Sequence, residues 1–452
     1  MSPGVLPPSG GNDGFERRPA DWLSFDQARD RIVAAGDPLP PQEVRLEEVD
    51  AFPPPALSAE VRTPATLPPG PTSAMDGYVL RRADVEEADR ADSSPRKPLP
   101  VVGASRPGHP TEPLPEGSAA RIMTGGLLPE GADTVIPVEH TDREAGGEGR
   151  LLLLEPLPEE GRFIRPAGEE MTRGEVLARP GDALSPGLLA LLASAGVPQV
   201  QLHERPRVGL LVTGDELIGL EEVEARAEAL HQGRARVDVL TPSLEPLVRE
   251  AGGRPLKPRR VGDDRVELRR ALTELATEAD LVITTGGASM GDADLLKRTL
   301  DELDHELLFW RIRMRPGSPV SLGRLQIEVE GRSKAVPVLG LPGNPVSALV
   351  TFLLLGRPLI RRLGGHREVH LPRIRARAAD PLPGHDHLTL FPRVRLLNDS
   401  DGRWEAYTTG SQSSGVTASV ARAQGVAVVT AGSGGVDEGT EVPVVLFPLG
   451  LG

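Results

Sequence analysis

A chain of 452 residues exceeds what one hydrophobic core usually organises, and ordinary domain sizes point to about three or four domains. It contains no cysteine, which excludes a disulfide framework, a thiolate nucleophile and a cysteine metal site, so any metal must be held by oxygen or imidazole. The formal net charge of -14, with no extended basic stripe, argues against broad nucleic-acid binding and leaves room for a small anion in one basic pocket.

Residues 1–20 are rich in Pro, Gly and Ser and lack the apolar core of a secretory signal, so a disordered tail is expected. From Trp22 to about Asp50, SFDQARDRIVAAG combines a capping serine with apolar residues at helical spacing, and a Pro-rich break follows. Short apolar runs between turn residues then predict a β-rich domain over 53–162. Ser185 and Pro186 open an apolar helix ending at Gly196, which pairs in this reading with the first helix as a discontinuous elongated domain, 21–52 with 163–204.

Residues 205–363 are the most legible. RVGLLVT runs into GDEL; a helix-like SLEPLVREAGG follows; DLVITT runs into GGASMGDAD and the helix LLKRTLDEL; AVPVLG runs into LPGNP and a long helix. Repeated strand, loop and helix predict a mostly parallel sheet with helices on both faces, and ligands in such folds gather outside the carboxyl ends of the strands. Residues 364–452 read as a small C-terminal β domain. The fold class expected is therefore multidomain α/β: a central α/β sheet domain, an elongated discontinuous domain and two β-rich domains. The longest apolar runs reach about half a membrane span, so a soluble, cytoplasmic chain with no membrane or nucleic-acid partner is expected.

The loop TTGGASMGDADLLKRTL carries the densest chemistry. Its Thr285, Gly286, Gly287 and Ser289 suit an anion cradle, Asp292 and Asp294 could hold a Mg²⁺ beside it, and Lys297 adds a point charge. The same loop also reads as a plain strand-to-helix turn with Asp292 as its N-cap. SAMDGYVL, with Asp76, reads equally as an Asp-Gly hairpin turn, and Arg121, Thr124 and Glu139 are each ordinary alone. VTGDEL places Glu216 at another strand end. Arg315 in MRPGSP, Asn344, Pro345 and Ser347 in GLPGNPVSAL, and Arg393 with GSQSSG suit a tetrahedral oxyanion. HDH, His385 to His387, is taken for a loop rather than a metal site. No Gly-x-Ser-x-Gly elbow or Walker loop appears.

Taken in order, PTSAMDGY, RIMTGGLLPEGADTV, TGDEL, DLVITTGGASMGDADLLK, MRPGSP and GLPGNPVSALVTF resemble the molybdopterin molybdenumtransferase family, which includes MoeA and the gephyrin E domain. The resemblance covers nearly all of the chain after the first twenty or so residues. It implies an elongated homodimer of four domains, with its sheet domain of the molybdopterin-binding type. It also implies an enzyme that takes adenylylated molybdopterin and molybdate, cleaves the phosphoanhydride with a divalent metal, inserts molybdenum into the dithiolene and releases AMP. Carried over by position, Asp76, Thr124 and Glu216 match cleft motifs, and Asp292 and Asp294 match the metal and phosphate-bond carboxylates. Arg315, Pro319, Ser347 and Arg393, with serines of GSQSSG, resemble the family's molybdate pocket.

Two departures stand out. Val239, Leu240 and Thr241 occupy positions where the family usually has Asp-Ser-Asn or similar, removing one cleft carboxylate unless Asp238 substitutes. Ser318 replaces a lysine in the family's basic-Pro-Gly-Lys-Pro segment. An active molybdenum insertase and a weakened paralogue acting as a ligand-binding or scaffold protein are the two readings the sequence carries forward.

Overall fold

The structure is a computed structural model that describes residues 22–90, 98–144, 149–286 and 293–448, with the side chains of all but 87–90 and 293–294. The chain forms two compact units, one of residues 60–178 and 187–199, the other of the remaining segments. Among the described residues no helix is long and apolar enough to cross a membrane.

The unit of 60–178 and 187–199 is built on a five-stranded sheet in the order Thr134–Pro137, Gly77–Leu80, Ala119–Ile122, Leu99–Ser105 and Arg150–Leu151. Side chains alternate across it. Tyr78, Leu80, Ala119 and Ile136 pack into one cluster, while Val79, Ala120, Ile122 and Val135 fill another on the opposite face. Gly77 admits nothing larger, since a Cβ there would lie 2.0 Å from the Ile136 carbonyl oxygen.

In the other unit, the helix Phe25–Ala34 opens with the expected serine. Ser24 accepts the Gln27 amide at 3.2 Å, and Gln27 Oε1 accepts the Ser24 amide at 2.9 Å, a reciprocal cap. Its Phe25, Ala28 and Ile32 are buried in the core of the sheet domain that follows. That domain runs β1 (Arg207–Thr213), α1 (Leu240–Glu250), β2 (Arg254–Pro255), β3 (Arg259–Val261), α2 (Arg265–Glu278) and β4 (Leu281–Thr285). It continues with α3 (Ala293–Asp301), β5 (His305–Trp310), β6 (Ser321–Val329), β7 (Arg332–Leu341), α4 (Pro345–Thr351) and α5 (Arg357–Leu363).

The sheet order is β2-β1-β4-β7-β6-β5, with β3 also pairing β1. The β1, β4 and β7 strands are parallel, as the repeated strand-helix pattern predicts. Their apolar runs are nearly continuous because both faces are covered. Leu210, Ile283 and Leu339 lie in one row and meet α1, α4, α5 and the Phe25–Ala34 helix. Leu211, Val282 and Val338 face the other way, onto α2 and α3. Burying each such side chain contributes roughly 1.5–3 kcal/mol.

Three local features go beyond the sequence reading. The β6–β7 hairpin adds an antiparallel edge to the sheet; its turn is made by Glu330 and Gly331, both at positive φ (51° and 75°), a hairpin geometry that glycine supplies. Helix α1 begins at Leu240, three residues earlier than SLEPLVREAGG suggests, because the Asp238 carboxylate accepts the amides of Leu240 and Thr241, each at 3.0 Å. Between α4 and α5 the backbone widens into a π turn over Phe352–Gly356. Pro358 lacks an amide hydrogen and its ring would crowd the carbonyl four residues back, and a wider turn relieves both problems.

Within residues 373–446 the strands Arg373–Ala378, Trp404–Thr408, Arg393–Asn398, Gly425–Ala427 and Glu441–Leu446 close into a barrel. A short parallel ribbon joins this barrel to the sheet domain, with Ile312–Arg315 paired to Leu23–Ser24 on one side and Thr389–Leu390 on the other.

Buried histidines set an acid limit on this unit. His366 is 4% exposed and its Nδ1 accepts from Arg361 Nη2 at 3.1 Å; burial first, then the Arg361 and Arg357 cations, push the imidazole down to about 3. Burial likewise pushes His305 down to about 4. The unfolded chain therefore takes up these protons first. The stability is fully present above about 6.5 and is lost as pH falls toward the folded values, at up to about 1.4 kcal/mol per pH unit per histidine. Urea midpoints are expected to fall steadily from pH 6.5 to pH 4, and His366→Gln should flatten that slope.

Candidate functional site

Two clefts adjoin at the carboxyl end of the parallel strands. The first, about 590 Å³, is walled by the segments that leave β1, β4 and β7: Thr213, Gly214 and Glu216, then Thr285 and Gly286, then Pro342, Gly343 and Asn344. The segment Arg236–Leu240 that enters α1 closes another side. This is the place where an open α/β sheet presents a crevice to a ligand.

The glycine after β4 is dictated by its surroundings. Gly286 has φ +95°, and a Cβ there would stand 2.6 Å from both the carbonyl oxygen and Oγ1 of Thr213. The backbone of the β4 loop thus lies directly on the end of β1. Thr213 Oγ1 donates to the Thr285 carbonyl at 3.3 Å, which ties the two strand ends together. Thr285 Oγ1 is buried and has no hydrogen-bond partner among the described residues, so a cleft-lining hydroxyl is left for a ligand oxygen.

The carboxylates divide by task. Asp215 accepts the Asp263 amide at 2.9 Å and so holds the loop, while its neighbour Glu216 is exposed and lines the cleft. Asp238 is 5% exposed and its Oδ1 is taken up by the start of α1, so it is first a helix cap. Beside it Val239, 36% exposed, presents an apolar surface to the cleft.

The second cleft, about 920 Å³, is lined by Arg315, Ser318 and Pro319 from the ribbon and its turn, Ser347 from α4, and Arg393 with Gln412, Ser413 and Ser414 from the barrel. Trp22, His385 and His387 also line it. Arg393 is only 1% exposed. Its Nε donates to Ser419 Oγ at 3.3 Å, and its Nη2 donates to the carbonyl oxygens of Ser413 at 3.3 Å and Ser411 at 3.4 Å. No carboxylate pairs with it among the described residues, and burial pulls its guanidinium down to about 10, still charged at neutral pH. A buried cation without an acidic partner is stabilised by an incoming anion. Ser318 donates its hydroxyl proton to the Met314 carbonyl oxygen.

The clefts share a wall of Pro319, Pro342 and Asn344. Asn344 precedes α4 and its carbonyl accepts the Ala348 amide at 2.9 Å, but its side chain makes no capping bond.

The sequence candidates therefore separate into groups. Glu216, Thr285, Gly286, Pro319 and Asn344 meet in the first cleft; Arg315, Ser318, Ser347 and Arg393 join the last two of these in the second. Asp76 and Thr124 belong to the other unit, where Asp76 Oδ1 accepts the Thr124 amide at 2.7 Å and its hydroxyl at 3.0 Å. The amide first, then the hydroxyl, holds that carboxylate below its usual range. Lys297 lies half-buried on α3 and lines neither cleft. Gly287, Ser289 and Asp292 lie outside the described residues, as does the side chain of Asp294. Among the described residues no group of three or more His, Asp or Glu side chains could hold a metal ion. His385 and His387, read from sequence as a loop, belong to the second cleft; their i, i+2 spacing was the one available signal.

An open, mostly parallel sheet with a glycine-lined crevice at its strand ends, abutting a basic and serine-rich cleft, defines an α/β protein built to hold anionic ligands. Residues 23–196 match the family described as MoeA N-terminal region (domain I and II), residues 209–362 the probable molybdopterin binding domain, and residues 375–447 the MoeA C-terminal region (domain IV). The molybdopterin molybdenumtransferase of Haemophilus influenzae is 35% identical over 352 residues, spanning 77% of this chain and 80% of its own length. That of a Nostoc species is 32% identical over 401 residues, spanning 87% and 86%. The solved structure of the molybdopterin biosynthesis MoeA protein from Pyrococcus horikosii is similar with a TM-score of 0.72 at 27% identity, covering 95% of this chain and 100% of that one. The chain belongs to the molybdopterin molybdenumtransferase family.

Two substitutions test the construction of the first cleft. Gly286→Ala forces a Cβ onto Thr213 and is expected to lower the urea midpoint measurably, since that close backbone approach must open. Asp238→Ala removes the cap of α1 and should cost about 1 kcal/mol in urea unfolding, with a smaller effect for Asp238→Asn.

Proposed function

We propose that this chain takes adenylylated molybdopterin and molybdate, releases AMP and inserts molybdenum into the pterin dithiolene. The observation that carries the reading is the wall common to the two clefts. A phosphate against the Thr285 and Gly286 strand end and a tetrahedral oxyanion beside Arg393 would occupy neighbouring spaces that share Pro319, Pro342 and Asn344 as lining.

In this reading the Thr285 hydroxyl and the backbone at Gly286 hold the phosphate oxygens, and the Asn344 amide orients groups on both sides of the wall. Glu216 adds an exposed carboxylate at the phosphate end. Arg315 and Arg393 hold the oxyanion. The described carboxylates of the first cleft are oxygen donors of the kind Mg²⁺ takes, yet they do not converge into a set of three, so the proposed metal ligands are Asp292 and Asp294. Bound there, Mg²⁺ supplies charge neutralisation of the pyrophosphate. Family membership supports a homodimer and a cytoplasmic place of action, and light scattering on the purified chain tests the first.

The alternative, a weakened paralogue, draws on one specific observation: Oδ1 of Asp238 is bonded to the start of α1, and the position beside it, where the family's carboxylate is expected, is Val239. Incubation with adenylylated molybdopterin, molybdate and Mg²⁺ decides between them. AMP release and molybdenum transfer by the natural chain, reduced about 100-fold or more in Asp294→Ala, are expected. An inert natural chain that gains activity in Val239→Asp would establish the paralogue reading instead.

A further inference from the structure

The charged donors that line the second cleft among the described residues are Arg315 and Arg393. This argument rests on the oxyanion reading of that cleft. The Ser318 proton is committed to the Met314 carbonyl. Arg393 already directs Nε and Nη2 at Ser419, Ser411 and Ser413. A tetrahedral dianion presents four oxygens, each able to accept more than one hydrogen bond.

His385 and His387 line the same cleft and are exposed. The first is held in one orientation, because its Nδ1 accepts the amides of His387 at 3.1 Å and Leu388 at 3.3 Å. With Nδ1 occupied as an acceptor, the ring's own proton sits on Nε2, which is then a donor. The His387 ring stands edge-on to it, with centroids 6.4 Å apart, and among the described residues no hydrogen bond ties that ring elsewhere. The other charged groups of this region are Arg315 and Arg393, which line the cleft, and Asp386 on the histidines' own loop. No carboxylate lines the cleft among the described residues. Two imidazoles and two guanidinium groups lining one cleft make a poor seat for a cation and a suitable one for an anion.

We propose that His385 and His387 are oxyanion-binding residues of the second cleft, supplying the donors that Ser318 does not. They set the affinity for the tetrahedral dianion and leave the phosphate cleft untouched.

Equilibrium dialysis of the full-length chain with molybdate tests this. His385→Leu and His387→Leu should each raise the Kd for molybdate about tenfold, the effect of losing one hydrogen bond to a charged group. In the insertion assay the KM for molybdate should rise in step, while kcat and the KM for adenylylated molybdopterin stay within about twofold. Ser318→Lys placed in the double histidine variant should restore most of the molybdate affinity. Histidine variants that bind molybdate like the natural chain overturn the inference alone. So does a weakened double variant that Ser318→Lys fails to restore, since the pair then only shapes the loop. A natural chain that binds no molybdate overturns the oxyanion reading and this inference with it.

Discussion

The register of three parallel strands is the constraint on which the rest depends. Val212 of β1 stands beside Thr285 of β4, and Thr285 stands beside Leu341 of β7. Three chain segments therefore leave the sheet at one level. Burial on both faces fixes that register, because a slip of one residue would move Leu210, Ile283 and Leu339 onto the wrong side of the sheet. The crevice is thus a by-product of core packing, and its lining is positioned by elements that the ligand does not touch.

Above this frame, polar groups are used in two distinct ways. Asp76, Asp215 and Asp238 each accept backbone amides and so hold loops and a helix start. Glu216, Asn344 and Thr285 line the cleft without such backbone ties from their side chains among the described residues. The separation matters for chemistry, since a carboxylate oxygen already bonded to backbone donors has fewer lone pairs left for a ligand. Arg393 does both at once. It holds the serine loop by its carbonyl oxygens while keeping an uncompensated positive charge at the cleft.

The parallel sheet was legible because RVGLLVT, DLVITT and AVPVLG are short apolar runs that each end in glycine or turn residues. The serine cap on the first helix and the arginine and serine members of the second cleft were legible as local motifs. Other features depend on contacts distant in sequence. The Phe25–Ala34 helix shows an apolar stripe, but its pattern carries no information on which core receives it; the sheet domain does. The hairpin β6–β7 was obscured because QIEVEGRSK is charged on its open side. The early start of α1 follows from Asp238, whose neighbour Val239 breaks the expected acidic pattern. His385 and His387 looked like loop residues because cleft membership is a property of the ribbon and barrel together, and neither element announces it alone.

The π turn at Phe352–Gly356 has a further meaning. Each residue of an α-helix rotates the chain by about 100°, so one residue held in a wider turn turns everything after it by roughly that angle. Ahead of the turn, Ser347 faces the second cleft. Beyond it, Arg357 is aimed at Glu250 of α1, with both nitrogen-to-oxygen contacts at 2.9–3.0 Å. One continuous rod thereby works as two, its front half aligned by the ligand cleft and its rear half bolted to a neighbouring helix. Both halves are buried along nearly their whole length, so the wide turn is what lets one segment satisfy two differently oriented surroundings.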